Sequence, residues 1–150
     1  MRIRYVPALV ALAIGMPCFA QANAQVDELL SEQQARLDSA AYLVLVAGGQ
    51  LAEDSSPADA YAMLQDKKWI PAGLEASAPI RIDDYCALVM KALAIRGGLM
   101  YSLFPGPRYA YRELAAKGIV NQSGGPSRSL PGDEAMQILR QALDLKGGGQ

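Results

Sequence analysis

Side chains suited to catalysis are scarce in this chain. Its 150 residues include no histidine. That excludes Ser-His-Asp and Cys-His arrangements, imidazole metal sites, and any side chain whose unperturbed pKa lies near neutrality. The adjacent acids Asp83-Asp84 and Asp133-Glu134 could imitate a catalytic dyad. Residues one position apart on a helix point in different directions, and carboxylates in a first turn meet the positive end of the helix dipole. Both pairs therefore read as helix starts rather than catalytic dyads. The glycine pairs Gly48-Gly49, Gly97-Gly98 and Gly147-Gly148 precede no Lys-Ser or Lys-Thr, so none is a phosphate-cradling loop. Cys86 falls on an apolar helical stripe and reads as a buried structural thiol. The chain is expected to be no enzyme, with no catalytic residue, no metal and no cofactor.

A different chemistry is concentrated between residues 99 and 112. Met100, Tyr101, Leu103 and Phe104 precede Pro105-Gly106-Pro107, and Arg108, Tyr109 and Arg112 follow. Aromatic rings beside arginines stack on sugar faces and anchor partner proteins. Tyr101, Phe104, Arg108, Tyr109 and Arg112 are accordingly the candidate ligand-binding or partner-binding residues. The competing reading is that Tyr101 and Phe104 only pin the crossover 99–107 onto the core, because an uncovered connector this apolar invites aggregation.

The elements that must position these residues begin after an export signal. Arg2 and Arg4 precede a charge-free apolar stretch from Val6 to Phe19, and small residues follow at Ala20, Ala22 and Ala24 before the first acids, Asp27 and Glu28. Basic start, apolar middle and small-residue exit are what a signal peptidase requires. The run is shorter than the roughly 20 apolar residues of a membrane span and contains Pro7 and Pro17. Residues 1–24 are read as a signal peptide, cleaved after Ala24. Gly15-Met16-Pro17 before Cys18 departs from a lipid-attachment pattern, which places a small residue directly before the cysteine. Cleavage leaves 12 basic against 15 acidic side chains, a net charge of −3, and Cys86 as the remaining thiol. No concentrated basic face points to nucleic acid. The expected location is the periplasm or extracytoplasmic envelope, with no stable membrane span after cleavage.

The rest of the chain repeats itself. Displaced by 50 positions, residues 57–98 match 107–148 without a gap at eleven identities, among them Pro57 with Pro107, Tyr61 with Tyr111, Leu64 with Leu114, Asp83 with Asp133, and Gly97-Gly98 with Gly147-Gly148. Each copy reads as a short helix, a loop and a longer helix. In the first, Pro57 opens a helix whose Ala60, Tyr61 and Leu64 share one face, and Trp69-Ile70 then plug the core. Asp83 and Asp84 start the second helix, Ile82, Tyr85, Val89, Ala92 and Leu93 form its buried stripe, and Gly97-Gly98 end it. In the second copy the helices fall near 108–117 and 132–146, with Ile119-Val120 as plug and Gly147-Gly148 closing. Gly48-Gly49 ends an apolar run, 40–47, that suits a strand by composition but lies one repeat upstream of a helix. It is read as the long helix of a half repeat, 27–49. The organisation expected is one all-α domain over 25–146 with repeats 57–98 and 107–148, then a flexible tail, 147–150.

This pattern resembles the S-layer homology repeat of bacterial envelope proteins. The likeness covers about 38–146. It is carried by the aromatic-bearing first helix with its terminal plug, 61–70 and 111–120, and by the aliphatic and acidic opening of the second helix, 79–85 and 129–135. The resemblance implies tandem helix-loop-helix repeats, about two and a half here, packed around a pseudo-symmetric axis. It also implies binding of anionic cell-wall glycans in grooves between repeats, through an arginine in a Thr-Arg-Ala-Glu opening and a glycine-aspartate turn. At those arginine positions this chain has Ile82 and Gly132, its loops 73–78 and 123–128 lack the turn, and Arg81 and Arg128 lie close by. The function expected is a non-catalytic envelope module for binding or envelope organisation. Its partner would be cell-wall glycan or, alternatively, another envelope protein for which it serves as subunit or adaptor.

Overall fold

The structure, a computed structural model, describes residues 18–148, so the expected signal segment up to residue 17 and the tail residues 149–150 lie outside it. Every regular element among the described residues is helical: α1 (Cys18–Ser31), α2 (Leu37–Ala47), α3 (Pro57–Asp66), α4 (Ile82–Ala92), α5 (Leu99–Leu103), α6 (Pro107–Ala116) and α7 (Gly132–Gly148). The protein is all-α, and the β-prone run 40–47 lies within α2.

Local chemistry explains several of the helix starts. Pro57 occupies the first turn of α3, and Ser56 and Asp59 form a capping box. The Asp59 amide donates to Ser56 Oγ at 3.2 Å, and the Ser56 amide donates to Asp59 Oδ2 at 2.8 Å. α2 and α4 instead open on the same triplet, Arg36-Leu37-Asp38 and Arg81-Ile82-Asp83. Each arginine folds onto the aspartate two residues later, Nη2 to Oδ2 at 2.6 and 2.7 Å. Each aspartate accepts the next amide, from Ser39 at 2.8 Å and Asp84 at 3.0 Å.

Orphan amides at the starts of α2, α4 and α7 are satisfied by loop carbonyls from elsewhere in the chain. Leu37 N donates to Ala78 O at 2.9 Å, Ile82 N to Arg128 O at 3.1 Å, and Gly132 N to Glu32 O at 3.0 Å. Immediately upstream, three extended segments bond head to tail in a closed triangle. Ala35 N donates to Leu130 O at 2.7 Å, Leu130 N to Ile80 O at 3.2 Å, and Ile80 N to Ala35 O at 2.9 Å. The helices follow the same cycle, α2 packing on α3, α4 on α6 and α7 on α1.

The core fills the space inside this cycle. α4 runs through it, with nine of its residues buried, including the expected stripe Ile82, Tyr85, Val89 and Ala92. Leu29 of α1, Leu37 and Tyr42 of α2, Leu64, Leu114 and Ile138 pack around it without solvent exposure above 1%. The Tyr85 hydroxyl donates to Ala135 O at 2.9 Å, which ties α4 to α7.

Three details differ from expectation. The segment 27–49 holds two elements, the end of α1 and all of α2. Gly97-Gly98 do not end α4, which stops at Ala92 with Ala94 in the left-handed region at φ +53°. Gly147 and Gly148 likewise lie within α7. The structural counterpart of Gly48 and Gly49 is therefore Leu93 and Ala94, 45 positions on, the same separation that relates the two Arg-aliphatic-Asp triplets.

Candidate functional site

The connector between α4 and α6 departs from the core by a sequence of local constraints. After Ala94, Ile95 packs against the core while Arg96 is exposed. A Cβ on Gly97 would lie 2.6 Å from Tyr101 Cδ1, so glycine there lets the tyrosine fold back over the chain. Tyr101 is half-buried against the core, and burial pushes its phenol pKa up. The five residues of α5 touch α6 and no other helix among the described residues.

The outward face of α5 is apolar. Leu99 is 71% exposed, Met100 54%, Leu103 60% and the following Phe104 60%. Phe104 stacks on Tyr109 of α6, ring centroids 6.1 Å apart and planes inclined by 28°. Arg108 and Arg112, one turn apart on α6, are both exposed. Among the described residues neither makes an ion pair. Like charges at this spacing repel, so the pair stands where an anion would be attracted. Of the five expected residues, Phe104, Tyr109, Arg108 and Arg112 gather on this surface. Tyr101 faces inward and pins the connector, whereas Phe104 does not.

The arginines of the two long loops are committed elsewhere. Arg81 is paired with Asp83 and donates to Ser127 Oγ at 3.1 Å. Arg128 grips both carboxylate oxygens of Glu134 and donates through Nε to Ser123 O at 3.0 Å. The hydrogen bond to Glu134 is the main cause that holds the Arg128 pKa above its ordinary value. Arg81 thus reaches both acids of its couple, Asp84 at 3.8 Å through Nε, and Arg128 takes Glu134 of the other. Asp84, the neighbour of Asp83, is half-buried, and burial followed by the Asp83 charge raises its pKa. Among the described residues no three acids or thiols converge as a metal site. Cys86 is buried inside α4, and burial pushes its thiol pKa up.

No family model, curated protein or solved structure matches this chain.

A second surface feature escaped the sequence reading. Trp69 and Ile70, expected as core plugs, are only half-buried and line a cleft with Leu37, Leu74, Arg81, Asp84 and Leu88. The ammonium groups of Lys67 and Lys91 lie 5.1 and 5.8 Å from the centre of the Trp69 ring, within cation–π range. The equivalent residues of the second copy, Ile119 and Val120, are buried at 8% and 5% exposure. The lysines beside Trp69 were the available signal, because a ring placed next to two cations keeps one edge toward water.

Proposed function

We propose that this protein is a non-catalytic binding module of the bacterial cell envelope, exported from the cytoplasm and built from S-layer-homology-like helical units. The connector surface would hold its envelope partner. The closed backbone triangle at Ala35, Ile80 and Leu130 supports a repeat arrangement around a pseudo-symmetric axis. Cleavage after Ala24 would keep residues 25–31, whose Leu29 is fully buried, so the mature chain would retain the seam between α1 and α7.

The observation that carries the binding reading is the contrast between two sets of arginines. Arg81 and Arg128 are spent on internal pairs, while Arg108 and Arg112 stand exposed beside the stacked Phe104 and Tyr109. Cell-wall glycan is the partner that the family resemblance points to. The exposed Leu99, Met100 and Leu103 favour the second reading, an adaptor that seats on a more apolar envelope component than sugar. Passing mature protein over isolated cell wall and over detergent-solubilised envelope proteins tests both. Retention on either that Phe104→Ser with Arg108→Ala abolishes is expected; retention on neither would refute the proposal.

A further inference from the structure

Resting on the reading that the connector is the binding surface, we infer that it seats the protein on the anionic face of a lipid bilayer. The geometry is that of an interfacial anchor. α5 turns Leu99, Met100 and Leu103 outward while Tyr101 packs inward on the core, and α6 is the one helix it contacts among the described residues. Leu99, Met100 and Leu103 of α5 and Phe104, which follows its last residue, are each more than half exposed. A bilayer accepts such a small protruding tip without shape complementarity, whereas a stable protein interface buries about 800 Å² on each side.

Charge supplies the second half of the argument. Arg108 and Arg112 are exposed one turn apart on α6, the helix that α5 contacts, and lack acidic partners among the described residues. Basic residues beside inserted apolar ones are what draws a peripheral protein to anionic headgroups. Tyr109, half-buried and stacked on Phe104, has the amphipathic ring that favours the headgroup level. No helix among the described residues is long and apolar enough to cross a membrane, so attachment of this kind would be to one leaflet.

The test is flotation of mature protein with vesicles of phosphatidylglycerol and phosphatidylcholine, and with phosphatidylcholine alone. Binding to the anionic vesicles is expected, weakened by 0.5 M salt at about the Debye screening that strength gives. Arg108→Gln and Arg112→Gln should each weaken it about fivefold, and Leu103→Ser with Phe104→Ser should abolish it while the helical circular dichroism stays unchanged. Phe104→Trp should gain a blue-shifted emission component on vesicles that wild type lacks. Wild-type protein that stays unbound to anionic vesicles, or variants that bind as wild type does, would overturn the inference. If wild type ignores vesicles yet the same variants lose retention on cell wall or envelope proteins, the lipid assignment fails and the binding module stands. If those variants keep every retention, both fail.

Discussion

Tyr85 and Cys86 sit side by side on α4, both without solvent exposure. Burial of the thiol and its raised pKa leave little thiolate to react. Cys86 should therefore resist a thiol reagent in the native protein and label fully in denaturant; rapid native labelling would show that α4 opens. The Tyr85 hydroxyl has a different role, since its bond to Ala135 O crosses between helices. Tyr85→Phe is expected to lower stability by about 1–2 kcal/mol in urea unfolding. Asp59 gives the pH dependence its sign. The hydrogen bond from the Ser56 hydroxyl, then the one from the Ser56 amide, holds its pKa below the ordinary value. Its contribution is complete above the unfolded pKa, about 3.9, and is lost as pH falls through the lower folded value. The stability advantage of wild type over Asp59→Asn should thus be full at neutral pH and shrink below about pH 4.

Helix ends show how far the sequence could be read. Glycine is the usual residue at a left-handed helix terminus, so Gly97-Gly98 were the natural stop for α4. The chain turns earlier, at Ala94 with φ +53°, and uses Gly97 to let Tyr101 approach. Ala94→Gly should accordingly raise stability by about 1 kcal/mol, measured by thermal unfolding; a decrease would mean that the methyl group is worth more than the strain. The two copies 50 residues apart were legible because no insertion interrupts them. The first unit was not, because its spacing to the second is 45 and its glycine pair pointed to 49. The repeated Arg-aliphatic-Asp triplet carried the true register, since each arginine pairs with its own aspartate at a helix start. The connector was legible in composition alone. Which of its aromatic residues turned inward depended on a close approach at Gly97 that no periodicity encodes.

Closure of the whole molecule depends on the contact between α1 and α7. A Cβ on Gly132 would lie 1.7 Å from Leu29 O, so the backbone of α1 rests directly against the start of α7. Gly132→Ala should cost about 2–3 kcal/mol and expose the α1 segment to limited proteolysis before any other; unchanged stability and cleavage would show that the seam does not hold the fold together. With the fold closed, the exposed side of the connector is available for a partner. The central claim is that this face binds an envelope component, and the direct measurement is co-sedimentation of mature protein with whole isolated envelopes. Three proteins suffice: wild type, Phe104→Ser with Arg108→Ala, and Arg140→Ala as a control on an exposed arginine of α7. Tyr101 is spared because its half-buried ring supports the connector. Wild type and the control should sediment alike, and the connector variant should lose binding about tenfold or more, as expected when an aromatic anchor and its neighbouring arginine are removed. Equal sedimentation of all three would contradict the account.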